Sequence, residues 1–516
     1  MLPVLSVAEE QQHFDIWEYQ IEGNSLLEPE NIESTLYPYL GANKTLETVE
    51  QARELLQNSY KSEGYPIVVV SIPQQNVIGG KVRLVVVEGE IDRLKISGNK
   101  YFSRRELRKE LPSLESGQPL NMKLARKEID IANEASPHRS IVPVIRPGRK
   151  RGTMEMELKV HDELPLTGSV ELNNRYTTDT TPLRLMTSIE YGHLWQKHHS
   201  FSAGYQVSPQ DLDEVEVLNL SYALPVSESS RLVFYAIDSG SEVATVTGGG
   251  DSLTVLGNGK IYGLRTIHTL PTAGNYFHRM LLGLAYKDFT EDQNIENDTS
   301  GSGVNVPIDY AAWSISYNGT IRDEYISQFS IAANFGLRAF NEAEDFEFKR
   351  FQAKENYFYL NGRFSQVWNL NSDINVLYYL GGQYTESPLI SNEQYSAGGM
   401  DTVRGYTESS AQGDNGLSAS VEMTYRLLES TDDFYNQLGL SLFVDAANLH
   451  ILEALPDIDG EKLNRHKLLG AGMGLSFTAY KDMQLRFYYA KPLKDLLVDD
   501  FDDAARVHFS LSYQFK

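Results

Sequence analysis

The chain has 516 residues, of which 41% are hydrophobic and 22% are charged, and its formal net charge is −24. This length and composition predict a folded protein of roughly two to four units. The acidic balance argues against a nucleic-acid partner, because a nucleic-acid-binding face must neutralise phosphates. The chain contains no cysteine, which excludes disulfides, thiolate metal sites and a cysteine nucleophile.

The N-terminal segment, residues 1–13, has neither a basic start nor a long apolar stretch. We find no secretory signal in it and interpret it as the remnant of a leader. No run of about 18 apolar residues occurs in the chain, which excludes a transmembrane helix. A protein of this kind is expected to cross a membrane only as a closed β-barrel.

Residues 14–89 mix helical and strand patterns and predict one α+β domain. Val49, Ala52 and Leu56 follow helical spacing and predict the second of its two helices. Gly64 follows this helix and is expected to end it. The predicted elements are, in order, a strand at 14–21, helices at 29–40 and 45–62, and strands at 67–72 and 82–87.

Residues 90–163 repeat this order of elements. The tetrapeptide IEGN at 21–24 returns as ISGN at 96–99, and Ser103 with Glu106 forms a capping-box pattern at a helix start. Two tandem βααββ modules of about 75 residues are a stronger pattern than either copy alone. Two unrelated α+β segments remain the alternative. The later elements of the second module are predicted as a helix at about 121–134 and strands at 140–145 and 153–160.

Residues 164–516 alternate apolar and polar residues with a period of two. Leu485 and Phe487, for example, alternate with Gln484 and Arg486. This alternation predicts a transmembrane barrel with an apolar outer face and a polar lumen. About 350 residues, at roughly 22 per strand and connection, predict about 16 antiparallel strands. The last predicted strand carries the apolar face Val507, Phe509, Leu511, Tyr513 and Phe515.

A conspicuous motif lies within the run GGMDTVRGYTESSAQGDNGLSASVEM at 398–423. It resembles the signature loop of two-partner secretion transporters, the family of haemolysin, filamentous-haemagglutinin and contact-dependent-toxin secretors. The resemblance extends over nearly the whole chain, because the tandem modules look like paired POTRA domains and 470–493 looks like late barrel strands. The four motif residues are Val403, Arg404, Gly405 and Tyr406.

The resemblance implies a site for the motif. In this family the loop, here near 396–416, folds into the barrel lumen and its arginine pairs with an aspartate of a Phe-x-Asp-x-Gly strand motif. This chain has Phe443 and Asp445 at the matching place, with Ala447 where the family has glycine. The resemblance therefore predicts an Arg404–Asp445 pair that sets the position of the loop. Because Ala447 replaces this glycine, the sequence does not determine whether the local backbone has the geometry found in the family.

The resemblance also implies a function. The expected role is to capture a large secreted exoprotein (an adhesin, haemolysin or contact-dependent toxin) through the POTRA domains and to export it unfolded through the barrel. We expect a monomer in contact with outer-membrane lipid, located in the bacterial outer membrane with its POTRA domains in the periplasm. No cofactor, metal or enzymatic activity is expected. The family's N-terminal plug helix has no counterpart in the residues that precede Phe14.

Two rival functions remain open at this stage. A barrel-assembly or barrel-insertion factor of the same superfamily shares the VRGY loop but usually carries more POTRA copies. A passive solute channel with attached binding domains has no need of the Arg404 loop. His198 and His199 do not indicate a metal site, because neighbouring strand residues point to opposite faces.

Overall fold

The chain forms two compact units, residues 1–165 and 166–516. Residues 1–12, which make up most of the predicted leader remnant at 1–13, lie outside the described residues. The computed structural model describes residues 13–515 except for 151, 179, 242, 249–250, 257, 291, 294–303, 306, 431–435, 457–462, 481 and 497–502.

The first module of unit one places two helices against a three-stranded sheet of order β2-β5-β4. Strand β2 runs parallel to β5, and β4 runs antiparallel to it. Thr45 caps α2 by accepting a hydrogen bond from the Thr48 N–H. The elements are β1 (Phe14–Ile16), β2 (Glu18–Glu22), α1 (Pro29–Leu36), β3 (Gly41–Lys44), α2 (Leu46–Ser62), β4 (Val69–Ser71) and β5 (Lys81–Val87).

Three predicted boundaries in this module were wrong. The strand expected at 14–21 breaks at Trp17, where the Trp17 and Glu18 N–H groups both donate to the Gly80 carbonyl. This break lets β1 pair with β3, a strand that the sequence pattern did not predict. The first helix ends at Leu36 instead of residue 40, because Pro38 has no N–H with which to continue it. The strand expected at 67–72 is shortened to β4.

The second module repeats the same topology. Its sheet has the order β6-β8-β7, with β6 parallel to β8 and β7 antiparallel to β8. Asn121 caps α4 by accepting hydrogen bonds from the Lys123 and Leu124 N–H groups at 3.0 and 3.1 Å. The elements are β6 (Glu90–Ser97), α3 (Arg104–Glu110), α4 (Met122–Glu134), β7 (Arg139–Pro147) and β8 (Thr153–Asp162).

Unit two is a closed antiparallel barrel of 16 strands, which confirms the predicted fold class. Its first strand pairs with its last, Gly168 opposite Phe515, so the sheet has no free edge. The barrel strands are β9 (Leu166–Asn173), β10 (Arg184–Leu194), β11 (His199–Val207), β12 (Glu216–Pro225), β13 (Ser230–Ser239), β16 (Gly259–Thr269), β17 (Tyr276–Phe289), β20 (Ile308–Arg322), β21 (Ile326–Gly336), β22 (Phe358–Asn369), β23 (Ile374–Thr385), β26 (Asn415–Glu429), β27 (Gln437–His450), β28 (Arg465–Ala479), β29 (Met483–Pro492) and β30 (Arg506–Phe515).

The connections between barrel strands contain further short elements. Three hairpins lie at the same end of the barrel, and β24 and β25 belong to the connection that carries the VRGY motif. These elements are β14 (Val243–Gly248), β15 (Asp251–Leu256), β18 (Asp292–Gln293), β19 (Val304–Asn305), α5 (Ala343–Lys349), β24 (Tyr395–Ala397) and β25 (Ala411–Gly413).

The strand alternation separates a lipid face from a lumen face. On β27, Leu442 and Val444 are 54% and 52% exposed on the outside, whereas Phe443 and Asp445 are buried on the inside. An aspartate on the lipid side would be expensive, so this register is the one that the bilayer tolerates. Among the described residues, no helix is both long and apolar enough to span a membrane.

The two ends of the barrel differ in the length of their connections. Connections at one end are short, such as 226–229, 323–325 and 370–373, and those at the other end are long, including 337–357 and 386–414. The chain enters the first barrel strand at the short end. Since outer-membrane barrels have short periplasmic turns and longer external loops, the long connections lie on the outer side.

Candidate functional site

The connection 386–414 folds back against the inner wall of the barrel. Its base is the hairpin β24–β25, in which Ala397 lies opposite Ala411. Its tip, residues 398–410, carries the VRGY motif into the lumen. Val403, Tyr406 and the two hairpin alanines pack into one apolar cluster with wall residues of β27 and β28, namely Ala447, Leu449 and Leu468. The loop therefore has a defined seat on the wall.

Arg404 is the most heavily bonded residue of the tip. Its Nε and Nη2 atoms donate to the two carboxylate oxygens of Asp445 at 2.7 and 2.9 Å, and its backbone N–H donates to the same carboxylate at 3.1 Å. Its Nη1 atom donates to Glu422 at 2.5 Å. Ser420 donates to Asp445 at 2.6 Å. Such a two-point contact fixes orientation as well as distance.

Aromatic rings surround the same guanidinium group. Its carbon atom lies 3.4 Å from the ring centre of Phe443 and 4.7 Å from that of Tyr488, both within cation–π range. Burial lowers the pKa of Arg404, but hydrogen bonds and charges from Asp445 and Glu422 outweigh it and raise the pKa above its ordinary value. Arg404 therefore stays charged although it is only 5% exposed.

Two glycines allow the loop to approach the wall this closely. Gly405 has a φ of +100°, which a side chain rarely adopts, and its N–H donates to His508 Nε2 at 3.0 Å. Gly470 on β28 lies beneath the loop, where a Cβ atom would stand 1.9 Å from the Arg404 carbonyl oxygen. The wall thus contains a gap into which the Arg404 backbone fits.

Tyr406 extends the anchoring to the next strands. Its hydroxyl donates to the Lys494 carbonyl at 2.6 Å and accepts from the Leu469 N–H at 3.2 Å. The side chain is 1% exposed. Together with Arg404, it fixes the tip to the wall formed by β26 through β30.

A second group of charges holds the tip on its other side. Arg175, in the connection after β9, forms an ion pair with Asp401. Glu408 accepts from the Met400 N–H at 2.9 Å, and its own N–H donates to the Tyr176 carbonyl at 2.9 Å. Burial, with a smaller contribution from Asp401, raises the pKa of Glu408 to about 7. Its protonation state can therefore change near neutral pH.

All six residues named by the sequence meet at this site, since Val403, Arg404, Gly405 and Tyr406 contact the wall that carries Phe443 and Asp445. Ala447, which replaces the family's glycine, points inward beside the loop and leaves the strand register undisturbed. The sequence analysis missed four residues that contact the loop, although the alternation of apolar and polar residues along their strands placed them on the lumen face. They are Ser420, Glu422, Tyr488 and His508.

The loop leaves part of the lumen open. A cavity of about 900 Å³ lies beside it, which is room for water and a few side chains and not for a folded domain. Among the described residues, no group of three or more His, Asp or Glu side chains is arranged to hold a metal ion. The contacts of the site bind the loop and fix its position.

Comparisons with known proteins place this architecture in a family. The model of the haemolysin secretion/activation protein family ShlB/FhaC/HecB matches residues 152–477. The chain belongs to this family. The model of the ShlB-type POTRA domain matches residues 14–89.

Individual relatives are distant in sequence. The outer membrane transporter CdiB of Dickeya dadantii (strain 3937) is 22% identical over 80% of this chain and 72% of the relative. The structure of CdiB from Escherichia coli has a TM-score of 0.62 at 19% identity and covers 100% of this chain and 93% of that one. BamA from Haemophilus ducreyi lacking POTRA domains 1–3 has a TM-score of 0.58 at 16% identity, covering 97% and 100%. At these identities the two structures show a shared fold alone.

Replacing Gly470 with alanine is expected to displace the loop, because the new methyl group would overlap the Arg404 carbonyl. Gly470→Ala should lower the unfolding temperature of the barrel, measured as the temperature above which the protein migrates in a gel as the unfolded form. Gly362→Ala, whose methyl group would meet its nearest neighbour at 3.4 Å, is the matched control and should leave that temperature unchanged. Equal melting temperatures for both variants would contradict the close fit of the loop.

The raised pKa of Glu408 predicts a pH-dependent stability. Its folded pKa of about 7 exceeds its ordinary value of 4.5, so the folded state binds the proton more tightly. The resulting stabilisation is complete below pH 4.5 and is lost as the pH rises through 7. The melting temperature of the barrel should fall between pH 5 and 8, and Glu408→Gln should flatten this slope.

Glu429→Gln is the control for this titration, since it removes a carboxylate that is 68% exposed on its side chain. The melting temperature of Glu429→Gln should fall with pH as steeply as that of the wild type. If the melting temperature of Glu408→Gln also falls as steeply, the pH dependence belongs to another group.

Proposed function

We propose that this chain is an outer-membrane transporter of the two-partner secretion type, which captures one large exoprotein in the periplasm and exports it through its barrel. The observation that carries the proposal is the family's VRGY loop, seated in the lumen of a closed 16-stranded barrel. The family is one of haemolysin secretion and activation proteins, and curated relatives bear the name outer membrane transporter. A transporter of this family has no need of catalytic groups.

Residues 14–89 and 90–163 are then the two POTRA domains that receive the exported chain. The second assignment is supported by shared topology. In both modules the sheet strand that comes first along the chain is parallel to the one that comes last, β2 to β5 and β6 to β8. Each three-stranded sheet leaves two edge strands, β2 and β4 in one module and β6 and β7 in the other. An unfolded partner can add to such an edge through main-chain hydrogen bonds.

The exoprotein belongs to the class of secreted adhesins, haemolysins or contact-dependent toxins, and a single transporter chain suffices for its passage. The lumen wall near Arg404 supports passage of an extended chain, because inward positions of β26 and β27 include the small polar residues Ser418, Ser420 and Ser441. In the present arrangement the loop stands in that path. Movement of the loop is therefore part of transport, and the Arg404–Asp445 contact positions the loop before transport begins.

Loss of the Arg404 side chain should reduce export more than folding. We expect Arg404→Ala to lower the amount of exoprotein in the medium by about tenfold or more, because Asp445 and Glu422 would lose their cation. Arg404→Lys keeps the charge without the two-point contact and should give intermediate export. The measurement is secreted exoprotein from cells that express the chain, with a functional signal peptide, and the large exoprotein encoded beside it.

Arg426→Ala is the matched control for this assay, since it removes an arginine of β26 that forms its ion pair with the exposed Glu429. It should export normally. Heat-modifiable gel mobility checks that each barrel is folded. Normal export by a folded Arg404→Ala barrel would refute the positioning role of the loop contact.

The fold likeness to BamA favours one rival function, the insertion of other barrels into the outer membrane. This alternative predicts a different phenotype. Deleting the gene would lower the level of many outer-membrane proteins, whereas a dedicated transporter would lose only its exoprotein from the medium. The first result would replace the proposed function.

A further inference from the structure

The connection 337–357, between β21 and β22, folds into the outer mouth of the barrel. It contains α5, and three of its residues, Phe346, Ala353 and Tyr357, are 1%, 5% and 2% exposed. These side chains join one apolar cluster with inward residues of strands β12 through β20. The wall residues of this cluster are Val217, Ile237, Ile261, Ala285, Phe289, Ile308 and Tyr310.

This apolar cluster is unusual for its place. Barrel lumens that carry water are lined by polar residues, and the wall that binds Arg404 carries the polar side chains of Ser420, Glu422 and Asp445. The cluster lies at the end where the long connections meet and covers one continuous arc of the wall, from β12 to β20. Because apolar wall residues in a mouth that stayed open would face water, they indicate a mouth that is closed by packing.

Arg350 fastens this segment to two other connections through a single buried carboxylate. Its Nη1 and Nη2 atoms donate to the Oδ1 and Oδ2 atoms of Asp414 at 2.5 and 2.7 Å, and Asp414 is 0% exposed. The same carboxylate accepts from the Leu389 and Leu452 N–H groups at 2.8 and 2.7 Å. Three connections, 337–357, 386–414 and 451–464, therefore meet at Asp414.

Glu393 provides a second attachment nearby. It is 4% exposed and accepts from Lys287 and Tyr310 at 2.5 Å each and from Tyr359 at 2.7 Å. These donors belong to β17, β20 and β22, so the base of the VRGY connection is tied to a different part of the wall from the strands β26 and β27 that bind Arg404. Each carboxylate has its own cation, which satisfies the pairing that buried charges require.

We propose that residues 337–357 form a lid that closes the outer mouth of the barrel, and that the Arg350–Asp414 ion pair is the latch that holds it shut. Asp414 directly follows β25 in the connection that carries Arg404. The lid and the VRGY loop therefore share one attachment, and displacing either strains the other. The inference rests on the proposed function only for the identity of the chain whose passage opens the lid.

The absence of cysteine from the chain makes the lid directly testable. Ala353→Cys places one thiol in the buried lid, and Phe348→Cys places one on the exposed face of α5, where the native side chain is 71% exposed. Intact cells without exoprotein are treated with a membrane-impermeant polyethylene-glycol maleimide. A closed lid predicts slow labelling of Ala353→Cys and fast labelling of Phe348→Cys.

The latch is tested in the same labelling experiment. Adding Arg350→Ala to Ala353→Cys should accelerate its labelling about tenfold or more, because local opening then exposes the thiol. Arg338→Ala is the matched control, since Arg338 lies in the same connection and its side chain, paired with Glu355, is 73% exposed. It should leave the labelling rate unchanged. If Arg350→Ala fails to fold, Asp414→Asn removes the charge of the latch with little change in shape and should accelerate labelling likewise.

Two results would overturn the proposal. One is that Ala353→Cys labels as fast as Phe348→Cys in the otherwise unchanged chain, which would mean that the mouth is open. The other is that folded latch variants label no faster than the Arg338→Ala control. Both results are obtained without exoprotein, so they are independent of the export assay. A lid that opens in latch variants of a chain that exports nothing would retain the lid and reject the proposed function.

Discussion

A single guanidinium group organises the lumen of this protein. Arg404 binds Asp445 at two points, reaches Glu422 and lies against the ring of Phe443. Burying these charges costs several kcal/mol per ion before the contacts offset it. These contacts therefore add little to the free energy of unfolding. They do fix the position of the loop, because only one placement of the loop satisfies all these partners. Gly470, which leaves room for the Arg404 backbone, belongs to the same arrangement.

The barrel makes such an arrangement possible. Every strand pairs on both sides, so the wall is rigid enough to hold inward side chains in fixed register. The VRGY connection is bound to this wall at its tip, where Arg404 pairs with Asp445, and at its base, where Glu393 pairs with Lys287. Breaking either ion pair leaves a buried carboxylate without its cation. Movement of the loop therefore requires that several contacts break together, which is the property of a switch with two states.

The two faces of the barrel were predictable because a period of two is visible in any single strand, and the strand number was predictable from the length of the alternating region. Phe443 and Asp445 share the lumen face because they lie two residues apart on β27. The contacts of Glu422, Tyr488 and His508 were not predictable, since they depend on the register of strands far apart in the chain. In the first module, the break at Trp17 depends on a hydrogen bond to Gly80, which local periodicity does not reveal.

The central claim is that Arg404 and Asp445 act as one unit in export. The most direct test is a double-mutant cycle, with the rate of exoprotein release measured for the wild type, Arg404→Ala, Asp445→Ala and the double variant, all at equal levels of folded barrel. Residues that act as a unit show strong non-additivity, so the double variant should be about as defective as either single variant. Defects that simply multiply would mean that the two residues act independently and would contradict this account.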